Sequence, residues 1–383
     1  MEVRSAADER AWEEFLKAPA RTDPFGPGGQ PWSPFLQSWT MGEVYREIGN
    51  EPVRLEVRDN GQRTKDNGQG DIVGICQAIV VLAKRGKHLS VPYGPVLQWT
   101  MPARPRSDGD NGQKPMAMEL LIGELKRVAR EKGCAFIRMS PFCTSSSGRS
   151  VMLSRVLSSS KHGDEASMRP SAQCDTQKIL HFLGFRPSPL HMLAEHIWYL
   201  NLQGKSEEDI RKGMRATTRN LIGRAEREGV AIEVSKDPRR DVEHFLALHE
   251  ETRKRHRFTP YSDAFFRAQV EKFSEKGECA LYLARYQSTV IAASIHMIYG
   301  GETSYHHGAS SHAFSKIPAS YLLQWRAMQD ALKRGDRIYN FWGVAPGRME
   351  SARPAAVGRG KWTMENERHP FAGVTTFKTG FGG

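Results

Sequence analysis

The chain has 383 residues, 39% of them hydrophobic and 26% charged, with a formal net charge of +12. That is ordinary globular usage at a length suited to two domains, and it excludes collagen-like, wholly disordered and membrane-bundle readings. The cationic excess bears on partners, not on fold: polyanions, anionic head groups or phosphorylated substrates.

No long apolar run occurs, so no transmembrane helix is expected. The first residues, MEVRSAADERAWEEF, carry acids and no apolar segment, unlike a secretory signal. Five scattered cysteines, Cys76, Cys134, Cys143, Cys174 and Cys279, form no CxxC pair. A zinc ribbon or disulfide framework is therefore not expected, and a cytoplasmic protein with reduced thiols fits best.

In chain order, Asp8 to Ala18 reads as a helix, a Gly/Pro-rich stretch runs from Asp23 to Pro34, and a second helix runs from Phe35 to Ile48. Pro52 to Arg58 alternates like a strand, Asp59 to Asp71 reads as a polar hairpin loop, and Ile72 to Leu82 and Lys87 to Val91 as strands. A polar insert from Arg104 to Lys114 precedes a helix from Pro115 to Lys132 and a strand from Cys134 to Ser140. The Ser/Arg-rich stretch from Cys143 to Gln173 reads as a mobile insertion.

After Leu183-Gly184-Phe185-Arg186-Pro187 the pattern restarts. His196 to Leu202 is a strand, and Ser206 with Asp209 makes a capping box. Then come a strand (Val230–Val234), two helices (Asp241–Arg255 and Ser262–Phe273), three strands (Ala280–Arg285, Val290–Ile298, Glu302–Gly308), a helix (Pro318–Arg334) and a strand (Arg337–Phe341). Mixed strands and helices at similar intervals in both halves suggest two α/β domains, 1–190 and 191–383.

Several clusters invite a functional reading. Arg211, Lys212, Arg215, Arg219, Arg224 and Arg227, read as one helix, spread over more than one face. A solvated helix laced with ion pairs accounts for them as well as an anion-binding surface does. Arg253, Lys254, Arg255 and Arg257 crowd a helix end near Tyr261. Cations there complement the helix dipole, and an Arg fork with a Tyr hydroxyl equally suits a diphosphate. His306 and His307 are adjacent, so on a regular strand they point to opposite faces. Without a Cys or carboxylate at ligand spacing, no metal site is expected. The segment from Ser310 to Ile317, before the helix at Pro318, contains no Gly, which disfavours a phosphate-cradling turn for acyl-CoA. There is no P-loop, GxGxxG, GxSxG or HExxH motif.

The run from Thr217 to Val230, TTRNLIGRAEREGV, resembles a hallmark of the FemX/FemAB family of aminoacyl-tRNA-dependent peptidyltransferases, which build peptidoglycan cross-bridges. Leu36-Gln37-Ser38-Trp39, Val91-Pro92-Tyr93-Gly94-Pro95, Tyr339-Asn340-Phe341-Trp342-Gly343 and Phe377-Lys378 with Gly380-Phe381-Gly382 agree in order. The resemblance implies an α/β (α+β) fold of two tandem acetyltransferase-like (GNAT-like) domains flanking a cleft, with no coiled-coil arm. It implies transfer of an amino acid from aminoacyl-tRNA, a co-substrate, to the peptide amine of a UDP-linked or lipid-linked muropeptide, without a cofactor.

Phe377 and Lys378 match the family's catalytic Phe-Lys pair, with Lys378 expected to place a cation at the oxyanion or the tRNA end. Arg257 and Tyr261, with Arg255 as fallback, match an Arg and a Tyr four residues apart that bind the uridine-diphospho sugar peptide. Tyr305 and His307 match a strand pair of similar role, although His stands where Tyr is common. A first-domain substrate Lys would fall near Tyr45, which is not basic. The long loop from Val344 to Gly373, with Arg348, Arg353, Arg359, Lys361 and Arg368, is expected to cover the cleft or touch tRNA. A peripheral contact with the inner membrane face is compatible with a lipid-linked acceptor. Two other readings stay open: an N-acyltransferase using another activated donor, and a non-catalytic polyanion-binding relative.

Overall fold

The computed structural model describes residues 1–18, 34–63, 70–83, 86–97, 113–141, 155–158, 180–188, 193–194, 196–256, 261–350 and 361–383. The chain divides into two compact units, Met1–Glu195 and His196–Gly383. Each unit has its own mixed sheet and its own apolar core.

The first unit contains β1 (Glu2–Ser5), β2 (Pro52–Arg63), β3 (Gly70–Ala83), β4 (Gly86–Pro92), β5 (Val96–Leu97), β6 (Phe136–Ser140), β7 (Arg155–Ser158) and β8 (Arg186–Pro187). Their order is β1-β2-β3-β4-β6-β7-β8, with β5 on β3. Among the described residues only β4 and β6 pair in parallel here, from His88↔Phe136 to Pro92↔Ser140. A parallel pair needs a crossover, and helix α3 (Gln113–Glu131) lies within it. Leu121, Ile122, Leu125, Val128 and Ala129 recur at helical spacing and bury one face of α3 in a core with Leu55, Val57, Leu89 and Ile137. Helices α1 (Glu9–Lys17) and α2 (Trp39–Glu47) precede the long strands. The second sequence-predicted helix is two pieces: a 3-10 turn over Phe35–Gln37, then α2, with Ser38 Oγ accepting from Met41 N at 3.1 Å. Ser38 prefers the cap to the helix interior, and so breaks the run.

The second unit contains β9 (His196–Asn201), α4 (Glu207–Gly213), α5 (Ala216–Arg227), β10 (Ala231–Val234), α6 (Pro238–His256), α7 (Asp263–Glu275), β11 (Cys279–Tyr286), β12 (Thr289–Tyr299), β13 (Glu302–Ser310), α8 (Ala319–Arg334), β14 (Ile338–Val344), β15 (Gly347–Glu350), β16 (Lys361–Met364) and α9 (Ala372–Thr379). The sheet order is β10-β11-β12-β13-β14-β9. Helix α8 packs Leu322, Leu323, Trp325, Ala327, Met328 and Ala331 into the core and stops at Gly335 in the left-handed region, φ 77°.

The parallel pair of this unit, β13 with β14, is registered only from Glu302↔Ile338 to Ser304↔Asn340. Beyond that the strands part: β13 continues on β12 to Ser310, and β14 continues on β9 to Val344. Both strands are irregular where they separate. Ile295 faces His307 while His296 faces Tyr305, so His306 is an extra, bulged residue. In β14 the register jumps between Asn340 and Gly343, and Trp342 adopts φ 63°. Bulges re-aim side chains and end pairing, so this pair of bulges defines the place where the sheet opens.

Other sequence expectations need correction. Asp59 to Arg63 is strand, because the ladder continues through Asp59↔Asp71 and Arg63↔Gly70 whatever the polarity of the side chains. Residues 101–112 lie outside the described residues, as does most of the stretch expected to be mobile from Cys143 to Gln173, but Arg155–Ser158 within it forms β7 between β6 and β8. The basic helix is two helices, α4 and α5, broken at Met214 and Arg215. The loop from Val344 to Gly373 contains the hairpin β15–β16, and Arg353 and Arg359 lie outside the described residues. Strand β1 has one apolar residue, Val3, packed against the core, too little for periodicity to reveal. Among the described residues no helix is long and apolar enough to cross a membrane.

Candidate active site

The split between β13 and β14 is filled from the C-terminal helix. Lys378 on α9 is only 7% exposed, and its Nζ donates to the carbonyl oxygen of Gly343, just past the β14 bulge, at 2.7 Å. The same Nζ lies 5.6 Å from the centroid of the Tyr305 ring on β13. The amine thus bridges the two diverging strands. Among the described residues no carboxylate forms an ion pair with it, and burial pushes its pKa down to about 7.

The lysine is held there by the TTRNLIGRAEREGV run and its neighbours. Arg215, at the start of α5, donates its backbone N–H to Gly380 O at 2.9 Å and its guanidinium to Thr379 Oγ1 and Thr376 O. Thr375 Oγ1 accepts from Ala345 N at 2.7 Å, and Trp198 Nε1 donates to Gly382 O at 2.6 Å. A side chain at Gly380 would meet Thr218 Oγ1 at 2.5 Å, so α5 and the chain after α9 approach as closely as only glycine allows. Arg215 and Thr218 thus bring the start of α5 against the end of α9, and two cations of the run are engaged within the protein. Arg219 donates to Met214 O, and Arg224 pairs with Glu228 and donates to Lys316 O.

Phe377, expected beside Lys378 in catalysis, turns to the other side of α9. Its ring packs edge-on against Tyr321 at 4.8 Å and Phe381 at 5.3 Å, so it anchors the helix. The pairing is a consequence of helical geometry, which sends consecutive side chains in directions about 100° apart.

On the β13 side, Tyr305, His306 and His307 are all partly exposed. The bulge overturns the expectation that the two histidines face opposite ways: their rings lie 3.9 Å apart. A bulged residue and its neighbour turn toward the same side of the strand. His306 also meets the Trp342 ring edge-on at 4.8 Å. Burial and the Lys378 charge push the His306 pKa down to about 3, and burial pushes that of His307 well below the usual imidazole range. Both rings are neutral at physiological pH. Burial pushes Tyr305 up to about 12, so its hydroxyl keeps its proton. Gly308 leaves room for that ring, because a Cβ there would meet the Tyr305 hydroxyl unless the side chain shifted.

His307 reaches a second group of rings. It packs edge-on against Phe266 at 4.8 Å and Tyr261 at 5.9 Å, and Tyr261 stacks on Phe265 at 4.4 Å. Tyr261 is 47% exposed, whereas His307 Nε2 is enclosed and has no hydrogen-bond partner among the described residues. Ser262 Oγ caps α7 by accepting from Phe265 N at 3.2 Å, and the cap points the preceding Tyr261 toward β13.

The structure therefore brings together Lys378, Tyr305 and His306, and joins His307 to Tyr261. Arg255 is exposed near the end of α6, while Arg257 and Arg359 lie outside the described residues. Lys361 opens β16 opposite Glu350. Tyr45 is buried in the first unit. Asn340, Trp342 and Gly343 belong to the Tyr339–Gly343 phrase, to which the sequence alone assigns no role. Their signal was an Asn and a Gly flanking two aromatics in a strand, a pattern suited to a bulge.

Two strands splayed around a short parallel pairing, with a helix crossing between them, define an acetyltransferase-like α/β domain. The Acetyltransferase (GNAT) domain family matches residues 211–350, inside the second unit. No curated protein matches the chain. Among solved structures, FemX is similar at 14% identity over 100% of this chain and 94% of that one, with a TM-score of 0.67. A tandem GNAT protein from the clavulanic acid biosynthesis pathway is similar at 12% identity over 89% of both chains, with a TM-score of 0.51. The protein thus has the tandem GNAT fold, and over its full length that fold is the one seen in FemX.

Proposed function

We propose that this protein is an aminoacyltransferase that moves an amino acid from aminoacyl-tRNA to the peptide amine of a peptidoglycan precursor. The observation that carries the reading is the buried Lys378 amine at the split between β13 and β14, held on Gly343 O without a counter-ion among the described residues. The likeness to FemX over the whole chain supports the choice of substrates.

An aminoacyl ester is already activated, so the protein needs to position the reactants, manage protons and stabilise a developing oxyanion. With a pKa of about 7, Lys378 is split between ammonium and free amine at neutral pH. The free amine accepts a proton from the attacking amine as the N–C bond forms. The resulting ammonium faces the oxyanion, then returns the proton to the ribose oxygen as the ester C–O bond breaks. This extends the purely cationic role expected from the resemblance. Tyr261 and His307, with Arg257 and Arg255, are assigned to the nucleotide diphosphate or its lipid counterpart. Arg359 and Lys361 are assigned to tRNA. No cofactor is invoked. A cytoplasmic setting follows from these substrates, with a peripheral membrane contact if the acceptor is lipid-linked.

A pyrophosphate-bearing acyl donor is disfavoured by the turn between β13 and α8. There His312 N donates to Glu251 Oε1 at 2.5 Å, so a protein carboxylate already takes a backbone donor that such a phosphate would need. The test is incubation with charged bulk tRNA and muropeptide acceptors, followed by mass spectrometry, with Lys378→Ala alongside. Addition of an aminoacyl mass to an acceptor is expected. No addition to any acceptor, or addition only with acyl-CoA, sinks the proposal.

A further inference from the structure

Lys378 relies on one carbonyl, and that carbonyl follows a residue in an unfavourable conformation. Trp342, at φ 63°, precedes Gly343. A bulky residue does not adopt the left-handed region unless its surroundings impose it. Here the imposition is visible. Trp342 N donates to Asn340 Oδ1 at 2.7 Å, closing a turn of side chain on backbone. Asn340 is fully buried, and its Nδ2 donates to Glu302 Oε1 at 2.8 Å. Ser304 Oγ donates to the same oxygen, and Glu302 is 4% exposed. Glu302 and Ser304 flank the start of β13, within the short stretch that is still paired to β14.

We propose that Glu302 and Asn340 are positioning residues: they hold the turn at Trp342, and through it the Gly343 carbonyl that places the Lys378 amine. Neither touches Lys378. The inference rests on the transferase reading only for its consequence in activity, since the geometry stands without it. Burial, with Asp336 nearby, pushes the Glu302 pKa up to about 8, so at neutral pH the group is largely a neutral acid. A glutamine is then its close isostere. The titratable groups facing Lys378 are Tyr305 and His306, neither of which changes charge near pH 7.

The experiment follows the Lys378 side-chain resonance over pH in the full chain with isotope-labelled lysine, assigned by its loss in Lys378→Met. Glu302→Gln keeps the accepting oxygen, and its titration is expected to match the wild type. Asn340→Leu and Glu302→Met remove the relay, and Ser304→Ala weakens it and serves if the first two do not fold. In each, the Lys378 titration is expected to move by more than about half a unit, downward if the amine stays buried without its acceptor and upward if it leaves the wedge. The accompanying transfer assay is expected to show kcat reduced by about a hundredfold in Asn340→Leu, with KM within about twofold. An unmoved Lys378 titration in the folded relay variants overturns the inference, as does a Glu302→Gln titration displaced as far as that of Glu302→Met. A moved titration in a protein that transfers nothing leaves the inference standing and removes only the transferase reading.

Discussion

Among the described residues each unit has one parallel strand pair, and the two pairs end differently. In the first unit β4 and β6 stay registered from His88 to Pro92. At the end of β4, Gln37 Nε2 donates to Pro92 O at 2.6 Å and to Gln77 O at 3.0 Å, and its Oε1 accepts from Gln77 N at 2.7 Å. The Gln37 amide thus spans β4 and β3 where that antiparallel pair separates beyond Ile79↔Ser90, on the side of β4 away from β6. In the second unit the pairing stops at Ser304, two bulges splay the strands, and a lysine amine enters. The tandem fold thus keeps the parallel strands together over the described residues of one unit and parts them in the other. The polar groups nearby differ as well: a neutral side-chain amide ties β3 to β4 in the first unit, and a titratable amine lies between the parted β13 and β14 in the second.

The comparison breaks most sharply at Lys378. Lys378→Met is expected to lower kcat/KM for aminoacyl transfer by about a thousandfold while the far-UV dichroism stays unchanged. In the wild type, kcat/KM is expected to rise with pH through about 7, the inflection belonging to the free amine. A flat profile across that range removes the proton-accepting role.

Stability gives the second contrast. Below about pH 7 Lys378 is charged in both folded and unfolded chains, and the full desolvation cost opposes folding. Between that pH and the ordinary lysine pKa of 10.5 the unfolded chain holds more protons, so stability rises with pH at up to ~1.4 kcal/mol per unit. Lys378→Met lacks this contribution. Denaturant titrations at pH 7 and pH 9 are expected to show the variant ahead of the wild type by less at the higher pH.

Two packing variants come next. Gln37→Leu leaves buried backbone groups of the first unit unsatisfied and is expected to cost ~1–3 kcal/mol in thermal unfolding. Because it lies in the first unit, apart from Lys378, its kcat is expected to stay within about threefold of wild type. Gly308→Ala drives a methyl into the Tyr305 hydroxyl. A similar loss of ~1–3 kcal/mol is expected, but with reduced kcat as well. The smallest effect is expected at Tyr261, exposed and stacked on Phe265. Tyr261→Ala should raise KM for the acceptor by about tenfold and leave the melting temperature in place.

Much of this was legible before the fold. The apolar runs of β11 and β12, the Ser206–Asp209 capping box at α4 and the helical spacing of α8 are local signals, and all four elements are present. The Phe-Lys phrase pointed to Lys378 through resemblance, not through physics. The opposite-face expectation for His306 and His307 failed because a bulge depends on the partner strand, and no periodicity within β13 reports where β12 slips by one residue. The role of Arg215 was hidden for a similar reason, since its partners lie about 160 residues away.

The sequence by itself determined the two-domain α/β class, because hydrophobic period and turn chemistry act within a few residues. It also supplied the lysine. Only the tertiary structure decided that this lysine is buried between two parted strands, and hence that its amine titrates near neutrality. Desolvation is a property of everything that surrounds a group, and those surroundings come from β13, β14 and α5, none of them adjacent to Lys378 in the chain.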